Sequence, residues 1–431
     1  MTSSGSTGWM TEPAPFTQLR AWAAENGAYI HPSLVFVEDT HGTSAYATED
    51  IDPEETIVSC PFSLAITPEI ARYGIAQSFN TGAPDTSQWN ERQTICTYLV
   101  MHWVMLGELF KHEAYLRHGP YLRSLPRSAA LLTPLYFSPS EFALLRGTNL
   151  YGATTDRKNA WEAEWRVCRE AIAGCNKDYG EKFNWERYLS ASTYLSSRAF
   201  PSTLLSENPS ITSSDSSHPV LLPIVDSLNH ARGHQVSWVV SPIQKTEFAP
   251  GDHVSKNLQI NLIIRSPTAA REQLFNNYGP KPNAELLLAY GFVIPDNPDD
   301  TIVLKLGGSD KRWEVGREAK GIEGVWDEVK SRLSQDAESE EEEGWAVSLD
   351  VAEMLEEMVW QLVKALPKLE ERNQEGVRSE VALMVRIYVK GQMEILTSIL
   401  EYAARRKEEA IEEARQSGVE LDVLDEREEE D

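Results

Sequence analysis

Cysteine is scarce in this chain: 431 residues hold four, Cys60, Cys96, Cys168 and Cys175, and no two stand at C-x-x-C spacing. So few thiols exclude a disulfide framework and fit a reducing compartment, the cytoplasm or the nucleus. Long apolar runs are missing too. Nothing approaches the roughly 18 consecutive apolar residues that read as a membrane-spanning helix, and residues 1–13 lack the apolar segment of a secretory signal. No Asn-x-Ser/Thr acceptor occurs without proline at x. The expectation is a soluble intracellular chain.

Glycine spacing excludes as much. No two glycines are separated by a single residue, so the G-x-G-x-x-G dinucleotide fingerprint is absent, as are G-x-x-x-x-G-K-[ST], H-E-x-x-H and G-x-S-x-G. Hydride transfer, phosphoryl transfer and zinc hydrolysis lose their usual support.

Negative charge is in excess, and it is uneven. Of a formal net charge of −26, residues 335–344 contribute −6 and residues 401–431 contribute −8. Such runs read as solvated, and they could also steer a basic partner. They argue against nucleic acid as a direct ligand. The rest is globular in composition, with 41% hydrophobic residues and 12 tryptophans, and its length calls for two or three domains.

Local pattern divides the chain. Residues 29–66 read as short strands (34–37, 56–60) and turns. Residues 88–192 read as helices, with 93–110 and 161–175 the clearest, and Cys168 and Cys175, seven apart, are expected on one buried face. A Ser/Thr/Asn/Pro loop at 206–217 precedes strands at 235–240 and 257–264. Residues 283–290 read as a helix, with Asn283 placed to cap it and Gly291 to end it. Long amphipathic helices follow at 350–366 and 379–414, the second with Leu383, Ile387, Ile395 and Ile399 along one face.

Two segments deliver a polar cluster at the end of an apolar run, as a strand does at a pocket rim. They are 221–230, LLPIVDSLNH, with Trp238 eight residues on, and 273–293, QLFNNYGPKPNAELLLAYGFV. Taken with GTSAYATEDI at 42–51, HGPYLRSLP at 118–126, SSRAF at 196–200 and YVKGQMEIL at 388–396, they resemble the SET-domain methyltransferases of the branch that includes Rubisco large-subunit methyltransferase and the yeast ribosomal-protein lysine methyltransferases. Ordered agreement at six places carries the resemblance.

The resemblance implies an α+β chain: a β-rich SET fold of pseudoknotted small sheets over residues 26–295, after an N-terminal segment 1–25, with a helical insertion near 80–195. An all-α substrate-binding domain over 298–431 would carry the acidic insert 335–344 and the acidic tail. It implies S-adenosyl-L-methionine as cofactor and a lysine-containing, basic substrate protein, ribosomal or translational. It also implies a monomeric enzyme with no direct nucleic-acid or membrane partner. Gly42, Ser44 and Ala45 fall where the family has a Gly-x-Gly whose backbone approaches the cofactor. Arg198 matches the arginine that meets the methionyl carboxylate, and Asn229 and His230 match the cofactor-contacting Asn-His pair. Tyr278 matches the tyrosine beside the transferred methyl, contacting cofactor as well, and Tyr290 a second tyrosine of the lysine channel. Asp226 is expected to make a structural bond. No metal is expected, since no cysteine cluster follows the catalytic tyrosine.

Such a site needs no dedicated base. A lysine of reference pKa about 10.4 must lose its proton, and an adjacent sulfonium and an apolar channel both favour that. Two positions depart from the family pattern: Ser44 replaces a glycine, and Arg271 stands where relatives often have one. Ser44 motivates an alternative, a degenerate SET module that only binds proteins. A second alternative keeps the chemistry and takes histidine as acceptor, as one relative does with actin.

Overall fold

Runs of β-branched and aliphatic residues form the strands. The computed structural model describes residues 11–39, 42–79, 82–106, 115–243, 258–308, 310–336, 344–368 and 375–419. Residues 337–343 of the acidic run, 420–431 of the acidic tail, 107–110 of the helix expected at 93–110, the start of the chain and Asn257 lie outside the described residues. The chain divides into two units: Met1–Leu131 with Arg157–Pro280, and Leu132–Asp156 with Lys281–Asp431.

The described residues of the first unit contain ten strands: β1 (Tyr29–Ile30), β2 (Leu34–Asp39), β3 (Gly42–Ala47), β4 (Thr56–Pro61), β5 (Phe200–Pro201), β6 (Pro219–Val220), β7 (Asn229–His230), β8 (Val236–Pro242), β9 (Leu258–Ile264) and β10 (Gln273–Asn276). They form two four-stranded sheets, β1-β4-β9-β8 and β2-β3-β10-β7, and a β5-β6 pair. The first is antiparallel throughout. In the second, β10 runs antiparallel to β3 but parallel to β7.

Helices α1 (Ala14–Glu25), α2 (Pro68–Gln77), α3 (Glu91–Val104), α4 (Gly119–Ser124), α5 (Pro139–Ala143), α6 (Asn149–Cys175), α7 (Lys177–Lys182) and α8 (Trp185–Arg198) precede β5. Helix α3 starts in a capping box: the Asn90 side chain accepts from the Gln93 backbone at 2.7 Å and the Gln93 side chain from the Asn90 backbone at 3.0 Å. Asn184 caps α8 through Arg187 N at 3.0 Å. The expected shared face of Cys168 and Cys175 is not found: Cys168 is buried, whereas Cys175 is exposed at the last residue of α6, where the helix has no further turn to cover it. One core joins both large sheets to α1, α3, α4 and α8 through residues such as Leu19, Phe36, Ile57, Leu99, Tyr121 and Leu262.

The second unit continues through α9 (Asn283–Glu285) into a π-helical turn, Leu286–Tyr290. Gly291 ends it at φ +81°, and a Cβ there would lie 2.9 Å from the Leu132 carbonyl carbon, so glycine is required on two counts. Asn283 does not cap this helix; Pro282 occupies that position, and the Asn283 amide serves other partners described below. The region expected to be all-α also contains a ribbon, β11 (Thr301–Lys305) against β12 (Arg312–Gly316), formed because TIVLK alternates inward and outward. Helices α10 (Glu323–Asp336), α11 (Gly344–Ala365) and α12 (Ser379–Gln416) complete it.

Helix α12 runs 38 residues and buries Val381, Val385, Tyr388, Gln392, Ile395, Ile399 and Tyr402, an alternating three- and four-residue spacing. The expected face included Leu383, which is 53% exposed. Two residues from Val381 and from Val385 is roughly 200° around a helix, which turns Leu383 outward. The first half of this face packs on Leu287 and Leu288 of the π turn, and the second on α10, α11 and the ribbon.

Candidate functional site

The second sheet of the first unit gathers most of the residues singled out in the sequence. Gly42, Ser44 and Ala45 lie on β3, Ala45 opposite Leu274 of β10. On its other edge β10 pairs Phe275 with Asn229 and Asn276 with His230. Tyr278 follows β10 by two residues. The parallel pairing is what brings Asn229, His230 and Tyr278 to one end of the sheet.

Direct bonds tie these groups together. The Asn229 amide donates to the Ser44 hydroxyl at 3.0 Å and to the Thr43 carbonyl at 3.4 Å. The Tyr278 backbone N–H donates to His230 Nδ1 at 3.0 Å. A backbone N–H can only donate, so Nδ1 accepts and a neutral ring keeps its proton on Nε2. The two rings stack, with centroids 5.0 Å apart and planes 18° from parallel. The Tyr278 hydroxyl donates to the Leu228 carbonyl at 2.8 Å.

Arg198 is the last residue of α8, and its Nη1 donates to the Asp226 carbonyl at 2.9 Å and lies 3.4 Å from Asp226 Oδ2. Burial works to lower the Arg198 pKa, but the Asp226 carboxylate and the nearby Tyr121 and Tyr278 outweigh it and leave it above its ordinary value. The guanidinium stays charged. Asp226 is buried, and desolvation raises its pKa against the opposing effect of Arg198. Tyr121 of α4 donates to Asp226 Oδ2 at 2.5 Å. Three bonded sets, Arg198 with Asp226, Asn229 with Ser44, and Tyr278 with His230 and Leu228, thus meet along residues 226–230.

The family departures find local explanations. Ser44 is fully buried, pairs with Val37 in mid-strand and is absent from the residues of positive φ, so its side chain causes no backbone strain there. The position that does adopt positive φ is Gly42, at +101°, with no atom of the described residues within 4 Å of where a Cβ would stand. That open backbone suits close approach by a ligand. Arg271 takes φ +74°, the conformation a glycine would adopt at no cost.

Tyr290 belongs to the second unit, where it ends the π turn. Burial, with the Glu285 carboxylate, pushes its pKa to about 12, so its hydroxyl remains a donor. Lys281 Nζ lies 5.9 Å from its ring centroid. Its segment is anchored by Asn283, whose amide donates to the Ile294 carbonyl at 2.9 Å and to Asp300 Oδ2 at 3.0 Å, while Asp300 Oδ1 accepts from Asn283 N at 2.6 Å. Asp300 in turn fits against Gly391 of α12, where a Cβ would stand 2.5 Å from Oδ2. This accounts for the glycine in YVKGQMEIL.

Among solved structures, the SET domain of LSMT bound to lysine and AdoHcy superimposes with a TM-score of 0.68 at 18% identity, over 93% of this chain and 94% of that one. The fold is that of the SET domain. No family model matches the chain. In sequence this SET chain is similar to the ribosomal lysine N-methyltransferase set10 of Schizosaccharomyces pombe, 33% identical over 290 residues, 66% of this chain and 47% of the relative. It is also similar to the protein-lysine N-methyltransferase EFM1 of Saccharomyces cerevisiae, 27% identical over 326 residues, 66% of this chain and 51% of the relative. The chain spans about half the length of the curated relatives it matches. The α+β SET reading is thereby borne out, and the similarity to these relatives agrees with the branch drawn from the six motifs.

Two members of the cluster carried little signal in the sequence. Tyr121 lies inside HGPYLRSLP, but nothing local says that its hydroxyl meets a carboxylate 105 residues away. Asp226, expected as a structural bond, also sits against Arg198. A buried tyrosine in a motif shared with the family was the available cue.

Proposed function

We propose that this SET-fold chain is an S-adenosylmethionine-dependent protein methyltransferase acting on a lysine side chain of another protein. The observation that carries the reading is the gathering of Asn229, His230 and Tyr278 at one end of the sheet that carries Gly42, with Arg198 bonded to Asp226 three residues before Asn229. S-adenosylmethionine supplies a sulfonium methyl, whose carbon takes the amine lone pair as its bond to sulfur breaks.

The chain's own groups divide the remaining work. The fork of Arg198 suits the donor's carboxylate bidentately. The Gly42–Ala45 backbone and the Asn229–His230 pair hold the nucleoside side. Tyr278, with nearby backbone carbonyls, orients the acceptor nitrogen, and such positioning is the main demand of an in-line displacement. Removing the proton from a lysine costs roughly 4–5 kcal/mol at pH 7, and a like charge with an apolar channel lowers that cost. No paired carboxylates are needed.

The names of the similar yeast proteins support lysine as acceptor, and that of set10 supports a ribosomal substrate, a class we widen to translation proteins. The excess of acid in this chain suits a basic partner, which we assign to the helical region 298–431. Among the described residues no helix is long and apolar enough to cross a membrane. The test combines binding of labelled S-adenosylmethionine with mass spectrometry of a translation-protein pool incubated with wild type or Tyr278→Phe. Methyl-lysine formed by wild type alone supports the reading; methyl-histidine would reassign the acceptor. A folded chain with no affinity for the donor at millimolar concentration would be a binding module.

A further inference from the structure

The Asp226 carboxylate poses a problem for the methyl-donor reading. It is buried beside Arg198, and a guanidinium fork and a carboxylate at that distance ordinarily close into a bidentate pair. Here they do not. Arg198 gives its shorter bond, 2.9 Å, to the Asp226 carbonyl, and the carboxylate oxygen Oδ2 stays at 3.4 Å from the same nitrogen. Among the described residues Arg198 makes no other side-chain hydrogen bond, so its Nε and Nη2 remain for a ligand. Asp226 Oδ1 is buried with no partner, an unfavourable state that rotation toward Arg198 would relieve.

What prevents that rotation is the 2.5 Å bond from the Tyr121 hydroxyl to Oδ2. We propose that Tyr121 is a positioning residue, whose hydroxyl fixes Asp226 Oδ2 so that the carboxylate meets Arg198 only through Nη1, at 3.4 Å, and so leaves the rest of the guanidinium fork for the carboxylate of the methyl donor. This rests on the donor-binding reading above. The position of Tyr121 suits the task. Its side chain is fully buried on α4, so the hydroxyl has little freedom to leave Oδ2. Burial, with the Asp226 charge, also keeps its pKa well above that of a free tyrosine, so the hydroxyl remains a donor. Without the hydroxyl, the carboxylate is free to rotate its partnerless Oδ1 toward Arg198, and an internal carboxylate competes with the incoming one.

The inference separates two ligands that share a nucleoside. S-adenosylhomocysteine carries the amino-acid carboxylate, and 5′-methylthioadenosine lacks that arm. Calorimetric Kd values for both are measured on wild type, Tyr121→Phe and Asp226→Asn, with Tm as the control for folding. Tyr121→Phe is expected to weaken S-adenosylhomocysteine about tenfold, the effect of one charge-assisted contact, and 5′-methylthioadenosine less than about twofold. Equal weakening of both, or of neither, overturns the inference and points to packing alone. If Tyr121→Phe does not fold, Asp226→Asn gives the reading: removing the competing charge should tighten S-adenosylhomocysteine relative to 5′-methylthioadenosine, and an unchanged or loosened ratio overturns it. A wild-type chain that binds neither nucleoside overturns the donor-binding reading and this inference with it.

Discussion

The side-chain amide of Asn229 donates a 3.0 Å hydrogen bond to the hydroxyl of Ser44, joining β7 to β3 across 185 residues of sequence. Ser44 is fully buried, so this acceptor has no water to replace it. Ser44→Ala should cost about 1 kcal/mol, the net worth of one hydrogen bond. Ser44→Gly adds the backbone entropy of a strand glycine and should cost roughly 1.5–2.5 kcal/mol. Guanidinium melts of both variants check the order. A Ser44→Gly chain as stable as wild type would show that the serine contributes nothing to the fold.

Tyr278→Phe removes a hydroxyl bonded to the Leu228 carbonyl at 2.8 Å and leaves the ring on His230. The stacking and the backbone bond to His230 are retained, so Tm should fall by only a few degrees. Turnover should fall about 10²-fold, the size of effect seen when one oriented polar contact to a reacting centre is deleted. Single-turnover methyl transfer, with donor binding measured separately, distinguishes loss of chemistry from loss of affinity.

Acid should weaken the first unit before it reaches the carboxylates. His102 and His118 are buried, and desolvation first of all pulls His102 down to about 4 and His118 well below its ordinary value. Both are neutral in the fold and become charged in the unfolded chain below about 6.5. The unfolded state then binds more protons, so stability falls as pH drops through that window. His102 alone accounts for about 3 kcal/mol between pH 6.5 and 4. Unfolding free energies from pH 7.5 to 4.5 give the slope, which His102→Gln should make shallower by about one proton.

Glu141, in the second unit, also loses its contribution in acid, but in a lower pH window. Its carboxylate accepts from Arg378 Nε at 2.8 Å, Arg378 Nη2 at 2.9 Å and the Arg378 backbone at 3.0 Å, and Arg378 is the main reason its pKa falls to about 2. Stability from this pair is present above pH 4.5 and lost as pH falls toward 2. Glu141→Gln should therefore cost roughly 2–4 kcal/mol at pH 7, and the gap to wild type should narrow below pH 4. A constant gap would show that shape rather than charge matters at this position.

Gly391→Ala puts a methyl group 2.5 Å from Asp300 Oδ2, and Asp300 is held by Asn283 and only 1% exposed. The carboxylate cannot swing aside without releasing Asn283. A loss of roughly 1–3 kcal/mol follows from overpacking, together with faster amide exchange at residues 283–294. Exchange unchanged in that segment would show that Asp300 is not what anchors it.

How much of this was legible in the sequence varied with the distance over which each interaction acts. Strands β2, β4, β8 and β9 follow from local β-branched and aliphatic composition, and helices α11 and α12 from local period, because burial on one side of a helix imposes it. The outward face of Leu383 was not legible from aliphatic residues alone. The true stripe includes Met384, Tyr388 and Gln392, which a count restricted to Leu and Ile passes over. Cys175 was misplaced because spacing gives the face of a helix but not where the helix stops. Asn283 has the side chain of a capping residue, yet it is drawn to Asp300, 17 residues on. In the site, Arg198, Asn229, His230 and Tyr278 were visible only through the motifs they share with a family. The bond between Tyr121 and Asp226 had no trace in pattern, since tertiary contacts over 105 residues leave no period.

The parallel pairing of β7 with β10 also sets an order of assembly. The bonds that close the cluster draw on residues from Ser44, in the first fifth of the chain, to Tyr278. During synthesis, nearly two thirds of the polypeptide must therefore emerge before a competent pocket exists. Contacts of such long range form slowly and late, so a nascent SET region would spend its earliest moments as helices and hairpins without a site.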